Sequence, residues 1–296
     1  MIHIKHFFEA ALLYMLFFFF GFLPVERASN IGGWLGRNIG PRMATSHKAL
    51  RHLKMALPDL GDDEHKKIVI DMWDNLGRVM AEYPHLEKIC RDKTQIKGRD
   101  VLERVLAEKN GGIFFGAHLS NWEILGPVLL LQYGEPLDGT YRAPNNPFVS
   151  RLLQKTRALD GRIRAYPKSR RGGKDLLSAV KNKRYIGILI DQKYNEGMAV
   201  PFFGIPAMTN PVFVQLCQKY KCSLLPVQNR RLEGASFEIT VYDPLTLFAA
   251  DGTPLPVEEV IAQAHTHLEK WICENPGQWL WLHRRWNSKK LKNLSS

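Results

Sequence analysis

The sequence contains no Cys-x-x-Cys pair. Its four cysteines, Cys90, Cys217, Cys222 and Cys273, form no Cys/His grouping with zinc-like spacing. His265 and His267 stand two apart on a predicted helix, so they point to different faces and make poor co-ligands. No metal site is expected, and the cysteines read as reduced, mostly buried thiols in a cytosol-facing protein. RNP, zinc-finger and P-loop signatures are all missing, which leaves a nucleic-acid partner without a motif. Low-complexity stretches and repeats at solenoid spacing are missing too, excluding a disordered or solenoid chain.

What the chain does have is positive charge. Lys plus Arg number 41 against 29 Asp plus Glu, a formal charge of +12. That balance suits an anionic partner: nucleic acid, an anionic membrane surface or a phosphorylated substrate. With 296 residues, 45 % of them hydrophobic, the chain can build one large α/β domain, with or without a helical appendage.

The N-terminus carries a long apolar run. From Ala10 to Val25 no residue is charged, about sixteen residues or roughly 24 Å of helix. A bilayer core is about 30 Å thick, so the run is marginal as a span. A cleaved signal peptide would need a small-residue cleavage site, and Leu23-Pro24-Val25-Glu26-Arg27 is a poor one. A buried core helix is the bland alternative. Arg27, Arg37, Arg42, Lys48, Arg51 and Lys54 follow the run, while only Lys5 precedes it. This asymmetry favours a membrane-anchoring helix over residues 1–26, with the body on the cytoplasmic side.

The body, residues 27–296, divides into a helical lead-in over 27–97 and an α/β core over 98–296. Ile68, Met72, Leu76, Val79 and Met80 recur at helical spacing. Beyond Gly98 strands and helices alternate. Strands are expected at 113–115, 139–141, 163–166, 185–190, 224–229 and 237–242. Helices are expected at 124–131, 148–159, 175–182 and 211–220, and a last one carries Val257 to Ile272. The segment 191–210 reads as a loop. The pattern predicts a mixed, mostly parallel sheet flanked by helices, with ligands at the carboxyl ends of its strands.

The first strong strand runs into Gly116-Ala117-His118-Leu119-Ser120-Asn121-Trp122-Glu123. An imidazole titrates near neutrality and can take a proton from a hydroxyl. A nearby carboxylate can hold its tautomer and stabilise its cation. Five residues along a straight helix would separate the two side chains by about 140°. A His118/Glu123 pair therefore needs His118 in the turn and Glu123 in the first helical turn. Two bland readings compete: Ser120-x-x-Glu123 as a capping box, and His118 as a hydrogen-bonded core histidine.

Other candidates are basic or lie at strand ends. Arg142 follows a predicted strand, and its planar guanidinium suits bidentate phosphate binding, or a structural salt bridge. Arg170 and Arg171 lie in a Gly-containing basic stretch before a helix, either an anion site or a solvated loop. Asp191 ends a strand beside the same cleft, where it could position an Arg or His side chain or cap a loop.

His118-Leu-Ser-Asn-Trp-Glu123 is an H-x4-E motif. With GGIFFGAHLSNWE, TYRAPNNP, SRRGGKDLL, ILIDQKYNEGMAVPFFG, LLPVQNRR and PGQWLWLHRRW, in that order, the chain resembles the lipid A biosynthesis lauroyl/myristoyl acyltransferases over most of its length. The short motif alone is weak; the ordered series is strong. The resemblance implies a glycerol-phosphate-acyltransferase-like fold. It also implies acyl transfer from acyl carrier protein to a hydroxyl of a 3-hydroxyacyl chain on a Kdo-bearing lipid A precursor. The work would be done at the cytoplasmic face of a Gram-negative inner membrane. It makes His118 the base and Glu123 its partner, and puts Arg142, Asn145, Arg170, Arg171 and Asp191 forward for substrate binding. A thioester is already activated, so no metal or cofactor is required. Glycerol-phosphate acyltransferases typically carry Asn-His-x4-Asp; Ala117 and Glu123 lean towards the lipid A branch. The rival is a coenzyme A-dependent acyltransferase acting on another phospholipid or glycolipid, such as a phosphatidylinositol mannoside. No nucleic-acid partner is expected.

Overall fold

The computed structural model describes residues 2–141, 146–159, 161–167 and 170–286, with the side chains of 2–5, 8, 170 and 171 outside the description. Arg142 and Asn145 therefore lie outside the described residues, as do the side chains of Arg170 and Arg171.

The helical lead-in comprises α1 (Ile2–Phe22), α2 (Val25–Ile39), α3 (Ser46–Ala56), α4 (Asp62–Glu82) and α5 (Leu86–Asp92). The strands are β1 (Thr94–Lys97), β2 (Gly112–Gly116), β3 (Leu137–Tyr141), β4 (Ala165–Pro167), β5 (Tyr185–Leu189), β6 (Met198–Phe202), β7 (Ile205–Thr209), β8 (Ser223–Arg231) and β9 (Phe237–Val241). Between and after them run α6 (Arg99–Ala107), α7 (Leu125–Tyr133), α8 (Pro147–Ala158), α9 (Arg170–Lys181), α10 (Val212–Tyr220) and α11 (Val257–Glu274).

Among the described residues seven strands form one sheet in the order β1-β9-β8-β2-β5-β3-β4. The β8–β9 pair is antiparallel and the other pairs are parallel. The mixed, mostly parallel sheet flanked by helices is thus the observed architecture. β2 lies at its centre and every one of its residues is buried. Such a strand has no wet face, which is why it reads as an unbroken apolar run. Ile113 and Phe115 enter the core that contains Phe213, Val214 and Trp271. Phe114, one residue out of phase, enters the opposite core with Leu102, Val128 and Leu137.

The sheet begins before Gly98, because β1 pairs with β9 from Thr94 to Lys97. Residues 191–210, read as a loop, contain the antiparallel β6–β7 hairpin. Pro201 and Pro206 face each other across it, and proline is a poor strand residue. A two-stranded ribbon tolerates them because it has open edges. Its turn places Phe203 and Gly204 both at positive φ (53° and 69°), as a two-residue primed hairpin turn requires.

No helix among the described residues is long and apolar enough to cross a membrane, so the structure does not support α1 as a span. α1 docks on the body through buried Ala10 and Phe20, while Phe7, Leu12, Met15, Phe18, Phe19 and Phe22 remain exposed. α2 crosses α4 at close range through Gly32, Gly36 and Gly77. A methyl at Gly36 would meet the Trp73 carbonyl oxygen at 2.0 Å. This contact seats α4, whose polar side chains reach the loop after β2.

Candidate active site

β2 and β5 are parallel neighbours, with Gly116 opposite Leu189. Two residues beyond each lie His118 and Asp191, so register alone places them side by side at the carboxyl end of the sheet. His118 Nδ1 donates to Asp191 Oδ1 at 2.7 Å, and the His118 backbone N–H donates to Oδ2 at 2.8 Å. Trp279 Nε1 also donates to Oδ2, at 2.8 Å. Asp191 is fully buried. Burial pushes its carboxyl up, but the His118 imidazole and N–H, with His283 nearby, more than offset this and hold it below the ordinary carboxylate range. The arrangement fixes the His118 tautomer and leaves Nε2 for proton exchange.

Glu123 lies elsewhere in the same site. Its carboxylate accepts two bonds from Arg157 of α8, Nε to Oε2 and Nη2 to Oε1, both 2.6 Å. Trp122 Nε1 adds a third at 2.9 Å, and Arg157 Nη2 also donates to Tyr83 Oη at 2.9 Å. Burial lowers the Arg157 guanidinium, but its bonds to Glu123 outweigh that and raise it above its ordinary value. The hydrogen-bond partner of His118 is thus Asp191, and that of Glu123 is Arg157. Nor does Glu123 close a capping box with Ser120: Asn121 Oδ1 accepts the Glu123 N–H at 3.2 Å.

The loop between His118 and Glu123 is clamped from behind. Ser120 adopts φ 53°, a left-handed conformation that costs energy for a non-glycine residue. Its N–H donates to the Gln278 carbonyl (2.8 Å) and its carbonyl accepts from Asn75 Nδ2 (3.0 Å). Asn229 Nδ2 donates to the Asn121 carbonyl (2.6 Å), and Asn121 Nδ2 to Glu82 Oε2 (2.8 Å). Glu82, fully buried, is gripped by Arg231 through both terminal nitrogens and by Ser29 Oγ at 2.6 Å. The lead-in helices and β8 thereby hold the loop in its strained shape. Ser120 Oγ is buried and does not line the cavity below.

In front of His118 opens a cavity of 410 Å³. His118, Trp122, Glu123, Arg157, Gln192 and His283 line it together with a larger apolar wall that includes Leu102, Val128, Leu129, Ile163 and Val241. One rung of the sheet floors it: Phe114, Gly187, Gly139 and Ala165 are successive register partners. Two glycines and an alanine in one rung leave a trough where side chains would otherwise fill the space. A Cβ on Gly139 would meet nothing within 4 Å.

Phe202 lies in the core against Trp279 and Trp286. Trp279, Trp281 and Trp286 are all buried there. Among the described residues no cluster of His, Cys, Asp and Glu could hold a metal ion. Arg157, Gln192, Trp279 and His283 join the site; Gln192, Trp279 and His283 lie in segments that carry the family resemblance, whereas Arg157 lies in none of them. Gln192 is also adjacent to Asp191 at the strand end.

The family model for bacterial lipid A biosynthesis acyltransferases matches residues 2–288. The lipid A biosynthesis lauroyltransferase of Escherichia coli (strain K12) is 25% identical over 280 residues, 90% of this chain and 87% of that protein. The palmitoleoyltransferase of the same organism is 23% identical over 257 residues, 83% of this chain and 80% of its own. A lipid A biosynthesis acyltransferase of Haemophilus influenzae is 24% identical over 282 residues, covering 90% and 86%. With nearly the whole chain matched, the protein is an acyltransferase and belongs to the bacterial lipid A biosynthesis acyltransferase family.

Proposed function

We propose that this enzyme transfers a fatty acyl chain from acyl carrier protein to a hydroxyl of a 3-hydroxyacyl chain on a Kdo-bearing lipid A precursor. The observation that carries the reading is His118, held by buried Asp191, on the wall of a 410 Å³ cavity whose lining is mostly apolar. A methylene is about as large as a water, whose share of liquid volume is roughly 30 Å³. The cavity therefore has room for about a dozen, the scale of a fatty acyl chain.

In this mechanism the acyl chain lies in the trough, and its thioester carbonyl lies beside His118. The acceptor hydroxyl gives its proton to His118 Nε2 as its oxygen attacks the carbonyl carbon. Asp191 stabilises the imidazolium that forms. Glu123 serves by fixing Arg157. The bonds to Glu123 and Tyr83 use Nε and Nη2 of Arg157, which leaves Nη1 as a donor for the negative oxygen of the tetrahedral intermediate. Arg142, Asn145, Arg170 and Arg171 remain candidates for the acceptor's anionic groups.

The enzyme would work at the cytoplasmic face of an inner membrane, with α1 embedded in the interface instead of spanning it. Exposed Phe7, Leu12, Met15, Phe18, Phe19 and Phe22 on α1, and Ile31, Trp34 and Ile39 on α2, support this placement. Arg27 accompanies them and suits anionic headgroups. The excess of positive charge also suits an acidic carrier protein. The test is transfer in detergent from lauroyl-acyl carrier protein and lauroyl-coenzyme A to the tetra-acyl precursor. Transfer from carrier protein supports the reading; transfer from coenzyme A alone overturns the donor.

A further inference from the structure

His118 is not the only imidazole on the cavity wall. His283 lies across from it, with ring centroids 4.5 Å apart and planes at 65°. Gln192 Nε2, an amide donor, sits 3.3 Å from His118 Nε2 and 3.3 Å from His283 Nε2, so both ring nitrogens accept from it in this geometry. The two Nε2 edges therefore converge on one point, and both rings line the cavity.

The position of His283 is built. Leu280 N–H donates to the His118 carbonyl (3.1 Å), and an antiparallel bridge joins Leu119 to Trp279. The turn carrying His283, closed by its own N–H on the Leu280 carbonyl (3.3 Å), thus follows directly on a segment bonded to the one carrying His118. On the far side, buried Arg285 bonds the Met208 carbonyl (3.0 Å) and Thr209 Oγ1 (2.6 Å), and Trp286 Nε1 bonds the Phe202 carbonyl (3.3 Å). Both flanks being pinned, the imidazole is presented at a fixed position on the cavity wall.

We infer that His283 is a second acid–base residue of the reaction, delivering a proton to the departing sulfur while His118 takes one from the attacking hydroxyl. The inference rests on the thioester reading above. As the acceptor oxygen bonds to the carbonyl carbon, its proton moves to His118 Nε2. The C–S bond then breaks, and the sulfur leaves with the proton from His283 Nε2. The two imidazoles exchange roles as carriers of a single proton, and the resting state is restored when that proton returns through solvent after product release.

One buried carboxylate, Asp191, faces the pair, and two imidazolium ions this close would repel. His52 lies behind the His283 backbone, Glu123 and Arg157 stand on the same cavity wall, and Arg284 is exposed beside it. None of these adds a second buried negative charge beside the pair, since Glu123 is neutralised by Arg157.

The experiment compares wild type, His283→Gln and His118→Gln with two lauroyl donors, over about pH 5.5 to 9.5, around the imidazole range. One donor is lauroyl-acyl carrier protein, whose sulfur leaves as an alkyl thiolate. The other is an S-aryl thiolaurate, whose sulfur leaves readily without a proton. His283→Gln is expected to lose about 10²-fold or more on the carrier-protein donor, to lose the alkaline limb of the pH profile, and to recover most of its rate on the aryl donor. His118→Gln is expected to be slow on both. Circular dichroism and melting of each variant, with His283→Asn as a second substitution, separate misfolding from chemistry. An unchanged His283→Gln, or equal losses on both donors in a folded variant, overturns the proposal alone. A wild type inactive on every thioester overturns the acyl-transfer reading and this proposal with it.

Discussion

Asp191 holds His118 at two points, accepting the ring Nδ1–H at 2.7 Å and the backbone N–H at 2.8 Å. One carboxylate thus sets both the tautomer of the imidazole and the path of the chain that bears it. Trp279 occupies the same Oδ2, so the carboxylate cannot swing away. This relationship makes Asp191, rather than Glu123, the residue whose loss should imitate loss of the base.

Asp191→Asn should fold and bind substrate, and should lower kcat by about 10²- to 10⁴-fold, the range for lost general-base function. The amide can offer His118 the wrong tautomer. Steady-state kinetics check this; a kcat within a few fold of wild type would remove Asp191 from the mechanism.

Glu123 and Arg157 should behave as one unit in stability. Removing either leaves a mostly buried partner charge, a change that costs about 3–5 kcal/mol when burial is complete. Arg157 keeps 27% of its side chain exposed, so roughly 2–3 kcal/mol is expected for Glu123→Ala. A denaturation double-mutant cycle with Arg157→Ala should show strong coupling, the double variant costing little more than either single one.

Gly139 should govern how deep an acyl chain can go. Its Cβ position is empty space on the cavity floor. Gly139→Leu should shift preference to chains about two to four methylenes shorter, because a buried side chain displaces that much chain from a close-packed site. A donor panel of graded length reads the shift directly. Unchanged preference would mean the chain lies elsewhere.

His265 should make the protein acid-sensitive. Its Nδ1 donates to the Pro201 carbonyl at 2.6 Å, and its Nε2 accepts from Arg285 at 3.0 Å. Burial and the Arg285 charge lower its pKa to about 4. The unfolded value is about 6.5, so the unfolded chain takes the proton first. Stability from this group is complete above about pH 6.5 and is lost as pH falls towards about 4, up to roughly 3 kcal/mol. Urea titrations at several pH values should show that slope, and His265→Gln should flatten it.

The alternation of strands and helices beyond Gly98 was open to view because the buried strands carry unbroken apolar runs, Ile113 to Phe115 and Tyr185 to Ile190 among them. His118 and Asp191 could each be placed at a strand end. Their pairing could not, since it depends on β2 and β5 being neighbours in one register. Arg157 sits inside an ordinary amphipathic helix, 34 residues from Glu123, and nothing local marks it. Trp279 and His283 return from the far end of the chain by a single bridge at Leu119. The β6–β7 hairpin was hidden by its own prolines, Pro201 and Pro206. The apolar run of α1 was plain, but length alone could not tell a span from a helix that docks on the body through Ala10 and Phe20.

The most direct test of the account is acyl transfer to radiolabelled Kdo-bearing tetra-acyl lipid A precursor in detergent, from lauroyl-acyl carrier protein. Wild type would be compared with folded His118→Ala, Asp191→Asn and Glu123→Gln. The account predicts product from wild type, loss of several orders of magnitude in the His118 and Asp191 variants, and a smaller loss in Glu123→Gln. Equal activity in all four would contradict the assignment of His118 and Asp191 to the chemistry.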